Sequence, residues 1–359
     1  MPQANKAALL FCLAAAALPT VPASATERPN IVFVLADDLG YGDVGAYGGT
    51  TIQTPEIDAL TQSGVRFTQG YVTHPVCSPS RAGLMTGRYQ QRHGWEFNPA
   101  GRDRGAGLSL EERTLGDVLR DAGYRTGLVG KWHLGQQPNH RPTQRGFDEY
   151  FGILEGGSIF IDSRKPGVES ASLRGGRGPT ERHNTVWRAR RGTDGRTVEE
   201  AVDVDEYLTD VFTDEALRFI GASDEQPFFL FLSHTTPHTP LQATVEYLEP
   251  YRHIEDPAKR VYAAMVASLD ASVGRLREAL EKSGQLEDTL FVFASDNGCA
   301  GYIFGACSNA PLRGFKRYHH EGGVRVPFVV SWPARLAAGQ VVDTPVSTLD
   351  LFATFAAAA

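Results

Sequence analysis

Asp37 and Asp38 close the apolar run "NIVFVLADD", and Asp296 and Asn297 close a second one, "TLFVFASDNG". Three carboxylates and an amide oxygen brought together would form a hard, all-oxygen cage, suited to Ca2+, or alternatively Mg2+, and not to zinc. Adjacent aspartates also serve turns and helix caps, so their joint occurrence after two apolar runs is what points to a metal. A second group follows other runs: Lys131 and His133 in "GKWH", His234 and His238 in "SHTTPHTP", and Lys316 in "PLRGFKRYHHEGGVRVP". Singly, each His suits a structural place and each Lys a surface one. Together above a metal they would line a pocket of positive charge for a tetrahedral oxyanion. Cys77, in "THPVCSPSRAGLMTGRY", stands just before a helix expected to begin near Pro79, whose N-terminal amides would add to that pocket.

These side chains converge only if the apolar runs are neighbouring strands, because in open α/β sheets ligands gather beyond the strands' carboxyl ends. "NIVFVLADD" reads as a strand buried on both faces. A helix is expected over 55–63, with Thr54 as N-cap and proline just inside. "GVRFTQGYV" reads as a strand, 110–122 as an amphipathic helix closed by Gly123, and "YRTGLVGKWH" as the next strand. A helix near 208–220, the strand "PFFLFLSH", a long helix over 258–282 and the strand "TLFVFASDNG" follow. In the long helix Val261, Met265, Leu269, Val273, Leu276 and Leu280 recur every three or four residues, as core positions do. The alternation predicts an α/β fold with a mainly parallel sheet sandwiched by helices. The stretch 158–205 breaks the rhythm with Arg164, Lys165, Arg174, Arg177, Arg182, Arg188, Arg190, Arg191 and Arg196. It reads as a solvated loop, or as a basic rim attracting an anionic substrate.

The chain has 359 residues and a formal charge of −7, which argues against a nucleic-acid-binding surface. Lys6, the apolar run 7–18 and the small residues Ala23-Ser24-Ala25 form the pattern of a secretory signal peptide over 1–25. No later run approaches the ~20 apolar residues of a membrane span, so a periplasmic or secreted protein is expected. Of four cysteines, Cys12 would leave with the signal. Cys299 and Cys307 either bridge each other or remain two loop thiols, and Cys77 is the odd thiol in either case.

The stretch "CSPSRAGLMTGR" resembles the signature of the Cys-type sulfatases, formylglycine-dependent members of the alkaline-phosphatase-like superfamily. "ADDLGYGD", "GKWHLG", "TPHTPLQ", "SDNG" and "EGGVRVP" are similar to further motifs of that family and occur in its order, from about Pro29 to the C-terminus. The resemblance implies an alkaline-phosphatase-like α/β catalytic domain over 26–359 that cleaves sulfate from an aryl sulfate or sulfated carbohydrate. It implies that a formylglycine-generating maturation enzyme converts Cys77 to 3-oxoalanine, whose hydrate attacks sulfur with one hydroxyl and expels sulfate with the other. Asp37, Asp38, Asp296, Asn297 and the modified Cys77 would hold Ca2+. Arg81 would orient the diol. Lys131 and Lys316 would grip the sulfate, His133 would take the proton during elimination, and His238 would contact the leaving oxygen, with Lys316 as proton donor. His238 is preferred over His234 because "PHTP" matches the family's His-x-Pro element, which leaves His234 to the scaffold.

Three features depart from the family pattern. His319 and His320 stand near the pocket without an assigned role. The polar residue that relatives supply between Tyr150 and Asp162 has no clear equivalent. "STLDLFATFAAAA" resembles the point where the family's catalytic domain leads into a smaller C-terminal domain, which is expected to be missing here. Two rival readings remain: a formylglycine-dependent phosphate or phosphonate ester hydrolase, and a catalytically silent binder of sulfated glycans.

Overall fold

The computed structural model describes residues 28–99, 105–171, 185–222, 226–303 and 305–359. The expected signal peptide lies outside the described residues. Thirteen strands are described: β1 (Asn30–Ala36), β2 (Val65–Tyr71), β3 (Arg125–Lys131), β4 (Glu149–Ile153), β5 (Val168–Ala171), β6 (Val186–Arg191), β7 (Thr197–Val202), β8 (Phe228–Ser233), β9 (Leu241–Thr244), β10 (Thr289–Ser295), β11 (Arg325–Ser331), β12 (Gln340–Val342) and β13 (Val346–Ser347). The helices are α1 (Pro55–Gln62), α2 (Cys77–Thr86), α3 (Leu115–Asp121), α4 (Leu208–Gly221), α5 (Val245–Leu248), α6 (Pro257–Lys282), α7 (Glu321–Val324) and α8 (Thr348–Ala358).

The main sheet runs β12-β2-β11-β10-β1-β8-β3-β4-β6-β7, with β13 beside β2. Its middle, β10-β1-β8-β3-β4, is parallel, and antiparallel strands β11 and β6 flank it. Strand β1 shows why helices cover both faces. Its residues alternate between two cores, Val32, Val34 and Ala36 facing α4 and α6, and Ile31, Phe33 and Leu35 facing α2, α3 and α8. Phe355 of α8 packs edge-on against Phe33, with ring centroids 6.1 Å apart.

Register decides where the chemistry lands. Ala36 pairs with Ser295, Leu35 with Ser233, and Ser233 with Gly130, so β1, β3, β8 and β10 end together. Asp37, Lys131, His234 and Asp296 therefore emerge at one edge.

Several local expectations need correction. The helix expected over 110–122 is confined to Leu115–Asp121, because Thr114 caps it through a capping box with Asp117. Helix α2 begins at Cys77 itself, so that residue sits in the first turn rather than before it. Thr54 does not cap α1 with its side chain. Its Oγ1 accepts from the Gly45 amide, while the buried Asp270 of α6 accepts from the Glu56 and Ile57 amides at 3.1 and 2.8 Å. Asp270→Ala should strand those donors and destabilise the protein by about 1–3 kcal/mol, measured as a lower urea midpoint.

The basic stretch is not one loop, since β6 and β7 extend the sheet within it. Five of its described cations also pair with acids: Arg164 with Asp162, Lys165 with Asp205, Arg188 with Glu215, Arg190 with Glu149 and Arg196 with Asp194. Arg174, Arg177 and Arg182 lie outside the described residues.

Candidate active site

Cys77 is buried, 1% exposed, where the first turn of α2 meets the strand ends. Its Sγ lies 3.6 Å from Asp37 Oδ1, 3.8 Å from Asp38 Oδ1 and 3.1 Å from Lys316 Nζ. Each aspartate holds a lysine: Lys131 Nζ donates to Asp37 Oδ2 and Lys316 Nζ to Asp38 Oδ2, both at 2.7 Å. Arg81, one turn along α2, donates from Nε to Asp296 Oδ2 at 2.9 Å, and its Nη1 donates to Ser233 Oγ and the Lys131 carbonyl. The guanidinium thereby ties α2 to the ends of β3, β8 and β10.

Three carboxylates face three cations here, and that balance sets their protonation. Burial would raise the Asp37 carboxyl, but Lys131, His238 and Arg81 hold it well below the usual carboxylate range. Burial likewise opposes ionisation of Asp38, and Lys316 beside it prevails. Asp296 goes the other way, pushed up to about 6 by burial and by Asp37. Burial pushes the Cys77 thiol up to about 12, against the pull of Lys131 and Lys316.

Whether the donors suit a hard cation is tested by Asn297. Its Nδ2 donates to Asp38 Oδ1 at 2.7 Å and to the Gly298 carbonyl, while its Oδ1 is buried with no hydrogen-bond partner. An orphaned amide oxygen beside a pair of carboxylates is a donor set that fits Ca2+ or Mg2+. Asp37, Asp38, Cys77 and His238 offer ligand atoms within 4.8 Å of one another. Asp296 is turned toward Arg81, and its Oδ1 accepts the Asp38 amide at 3.2 Å.

The histidines separate. His238 donates from Nδ1 to the Thr239 carbonyl at 2.7 Å, which leaves Nε2 facing Asp38 Oδ2 at 3.6 Å. His133 has a left-handed backbone, φ 62°, and burial with Lys131 nearby holds it neutral, well below its ordinary value. Its carbonyl accepts from Ser78 Oγ at 2.6 Å, and that hydroxyl accepts from Trp95 Nε1 at 2.7 Å, so His133 is pinned to α2. His234 turns away, its Nε2 meeting Ser272 Oγ of α6 at 2.9 Å. The expected free amides at the start of α2 are fewer than supposed: Ser78 N donates to Asn98 Oδ1 at 2.9 Å, and Pro79 has no N–H. His319 packs edge-on against His74, centroids 5.3 Å apart, and His320 lies parallel to Tyr318.

Residues without a sequence signal complete the site. Tyr302 donates from its hydroxyl to Asp38 Oδ2 at 3.5 Å. Gly156 and Gly157 pass beside His133 and His238, within the segment between Tyr150 and Asp162. A Cβ on Gly156 would lie 2.6 Å from His133 Cε1. Gly156→Ala should therefore displace that ring and lower turnover about 100-fold, with little change in melting temperature, both read on purified protein.

The α/β fold thus gathers an acidic cluster, its two paired lysines and a helix-borne cysteine at its strand ends. The chain belongs to the sulfatase family, whose model, described as "Sulfatase", matches residues 29–359. It is 34% identical over 341 residues to arylsulfatase J of Mus musculus, covering 94% of this chain and 53% of that protein. It is also 34% identical to N-acetylgalactosamine-6-sulfatase of Rattus norvegicus, over 94% of this chain and 63% of that one. The chain thus spans between about half and two thirds of the length of these curated relatives. Among solved structures, Ps i-CgsB in complex with k-i-k-neocarrahexaose superposes with a TM-score of 0.82 at 38% identity, covering 92% of this chain and 72% of that one. PsFucS1 sulfatase from Pseudoalteromonas sp. gives 0.75 at 28% identity, with 92% and 67% covered. The alkaline-phosphatase-like fold expected from the sequence is therefore present.

Proposed function

We propose that the protein hydrolyses sulfate esters of carbohydrates or aryl alcohols, with residue 77 matured from cysteine to formylglycine and Ca2+ bound beside it. The observation that carries this reading is the position of Cys77, in the first turn of α2 and 3.1–3.8 Å from Lys316, Asp37 and Asp38. The hydrated aldehyde supplies a geminal diol, one hydroxyl for attack on sulfur and the other for release of sulfate. Asp37, Asp38 and Asn297 would hold the cation, with Asp296 completing the set and fixing Arg81. Once a divalent cation joins three carboxylates and three basic side chains, the pocket has net positive charge, which favours an anionic ester.

Lys131 and Lys316, held by Asp37 and Asp38, would bind sulfate oxygens and stabilise charge in the transition state. His133, held neutral, accepts a proton from residue 77. His238 would contact the leaving-group oxygen, and Lys316 would protonate it. Export to an oxidising compartment is supported by the Cys299–Cys307 disulfide, and no helix among the described residues is long and apolar enough to cross a membrane. A carbohydrate substrate draws support from the sugar ligand named for Ps i-CgsB.

The test compares rates of matured protein on an aryl sulfate, the matching aryl phosphate and a sulfated oligosaccharide. Faster sulfate hydrolysis is expected. Faster phosphate hydrolysis would transfer the proposal to phosphate esters, and saturable oligosaccharide binding without turnover would make the protein a glycan binder.

A further inference from the structure

Lys316 and Arg317 are neighbours with opposite fates. Lys316 is buried against Cys77 and Asp38, whereas Arg317 is exposed. The backbone is fixed on both sides: Lys316 N donates to the Cys299 carbonyl at 2.9 Å, and Arg317 N to the Pro75 carbonyl at 2.8 Å. Those contacts tie the loop to the segment after Asp296 and to the one before Cys77. Between them Arg317 adopts φ 77°, a left-handed conformation that costs energy for any residue except glycine. A long cationic side chain is an unfavourable choice there on conformational grounds alone.

The guanidinium has no carboxylate within ion-pair distance among the described residues, unlike the described arginines of β6 that pair with Glu149 and Glu215. It lies over the Tyr302 ring, 5.5 Å from the centroid, and the hydroxyl of that same ring reaches Asp38. One aromatic ring therefore separates an unpaired cation from the cluster that receives the ester. Beside it, the exposed rings of Tyr318 and His320 lie 7° from parallel with centroids 6.2 Å apart, a surface able to lie along a sugar.

We propose that Arg317 anchors a second anion subsite next to the reacting one, and that the preferred substrate is a glycan bearing a second sulfate or a carboxylate on its leaving-group side. Guanidinium suits both groups because its paired N–H donors match two oxygens at once. The subsite rests on the sulfate-ester reading of the neighbouring site.

The experiment uses matured protein and three disaccharides of one backbone: monosulfated, disulfated, and monosulfated with a carboxylate in place of the second sulfate. The readout is the ratio of kcat/KM for each doubly charged sugar to that for the monosulfated one. Arg317→Gly, which also relieves the left-handed backbone, should lower the ratio about tenfold for whichever double anion fits. Arg317→Lys should retain part of the preference. An unchanged ratio, an equal loss on all three sugars, or no preference in the wild-type protein would overturn the subsite. Should the wild-type protein cleave none of the sugars, the sulfate-ester reading fails by itself. Calorimetric binding of the same three sugars to unmatured protein then decides on Arg317, a tenfold loss of selectivity in Arg317→Gly supporting the subsite and unaltered selectivity overturning it.

Discussion

Cys77→Ala is expected to lower sulfate ester turnover at least about ten-thousand-fold, with the fold retained. Alanine keeps the helical backbone at the start of α2 and removes only the atom that faces Asp37, Asp38 and Lys316. Arg81, Lys131 and Lys316 keep their carboxylate partners, so circular dichroism and melting temperature should stay near the wild-type values. Substrate binding should survive within a few-fold while kcat collapses, because the cations proposed to hold sulfate remain. Mass spectrometry of the matured wild-type peptide should show sulfur lost and a carbonyl oxygen gained at residue 77. Retained hydrolysis in the alanine variant, or active protein carrying only thiol, would remove the mechanism.

Adding Ca2+ to chelator-treated protein is expected to raise its melting temperature by several degrees and restore activity. At a hundredfold excess over Kd, binding to the folded state alone contributes about 2.7 kcal/mol. Asn297→Ala should abolish most of that increment, since the amide oxygen it removes is the buried acceptor that lacks a partner. The same substitution leaves Lys131 and Lys316 paired with Asp37 and Asp38, which makes it a cleaner probe than deleting an aspartate and stranding a buried lysine. Side-by-side titration with Mg2+ identifies the preferred ion. Full activity in excess chelator would mean that the lysines alone balance the acids.

The sequence made the middle of the sheet legible because its strands are buried on both faces, as in "NIVFVLA" and "FFLFLS", and such runs leave few alternatives. Strand direction was less accessible. Nothing in "VRFTQGY" distinguishes the mixed pairing that β2 makes, antiparallel to β11 and parallel to β12 and β13. The arginine-rich β6 and its glutamate-bearing neighbour β7 were obscured because they lie at the end of the sheet and their charged side chains pair with Glu215, Glu149 and Arg141. At the site, Asp37, Asp38, Lys131, Asp296 and Lys316 announced themselves by standing after apolar runs or within motifs. Tyr302, Gly156 and Arg317 did not, because their places depend on loops that meet only in three dimensions. The Asp270 cap of α1 was hidden for the same reason, its partners lying more than 200 positions away.

The enclosure of residue 77 also orders events in time. A modifying enzyme must grasp the segment around the thiol, yet in the finished molecule that segment is the covered first turn of α2, locked by Arg81 to strand ends from distant parts of the chain. The proposed conversion would therefore be confined to the interval between synthesis of this segment and arrival of the later strands. Presenting the maturation enzyme with native protein should yield no aldehyde, whereas a short peptide spanning residues 73–89 should be converted.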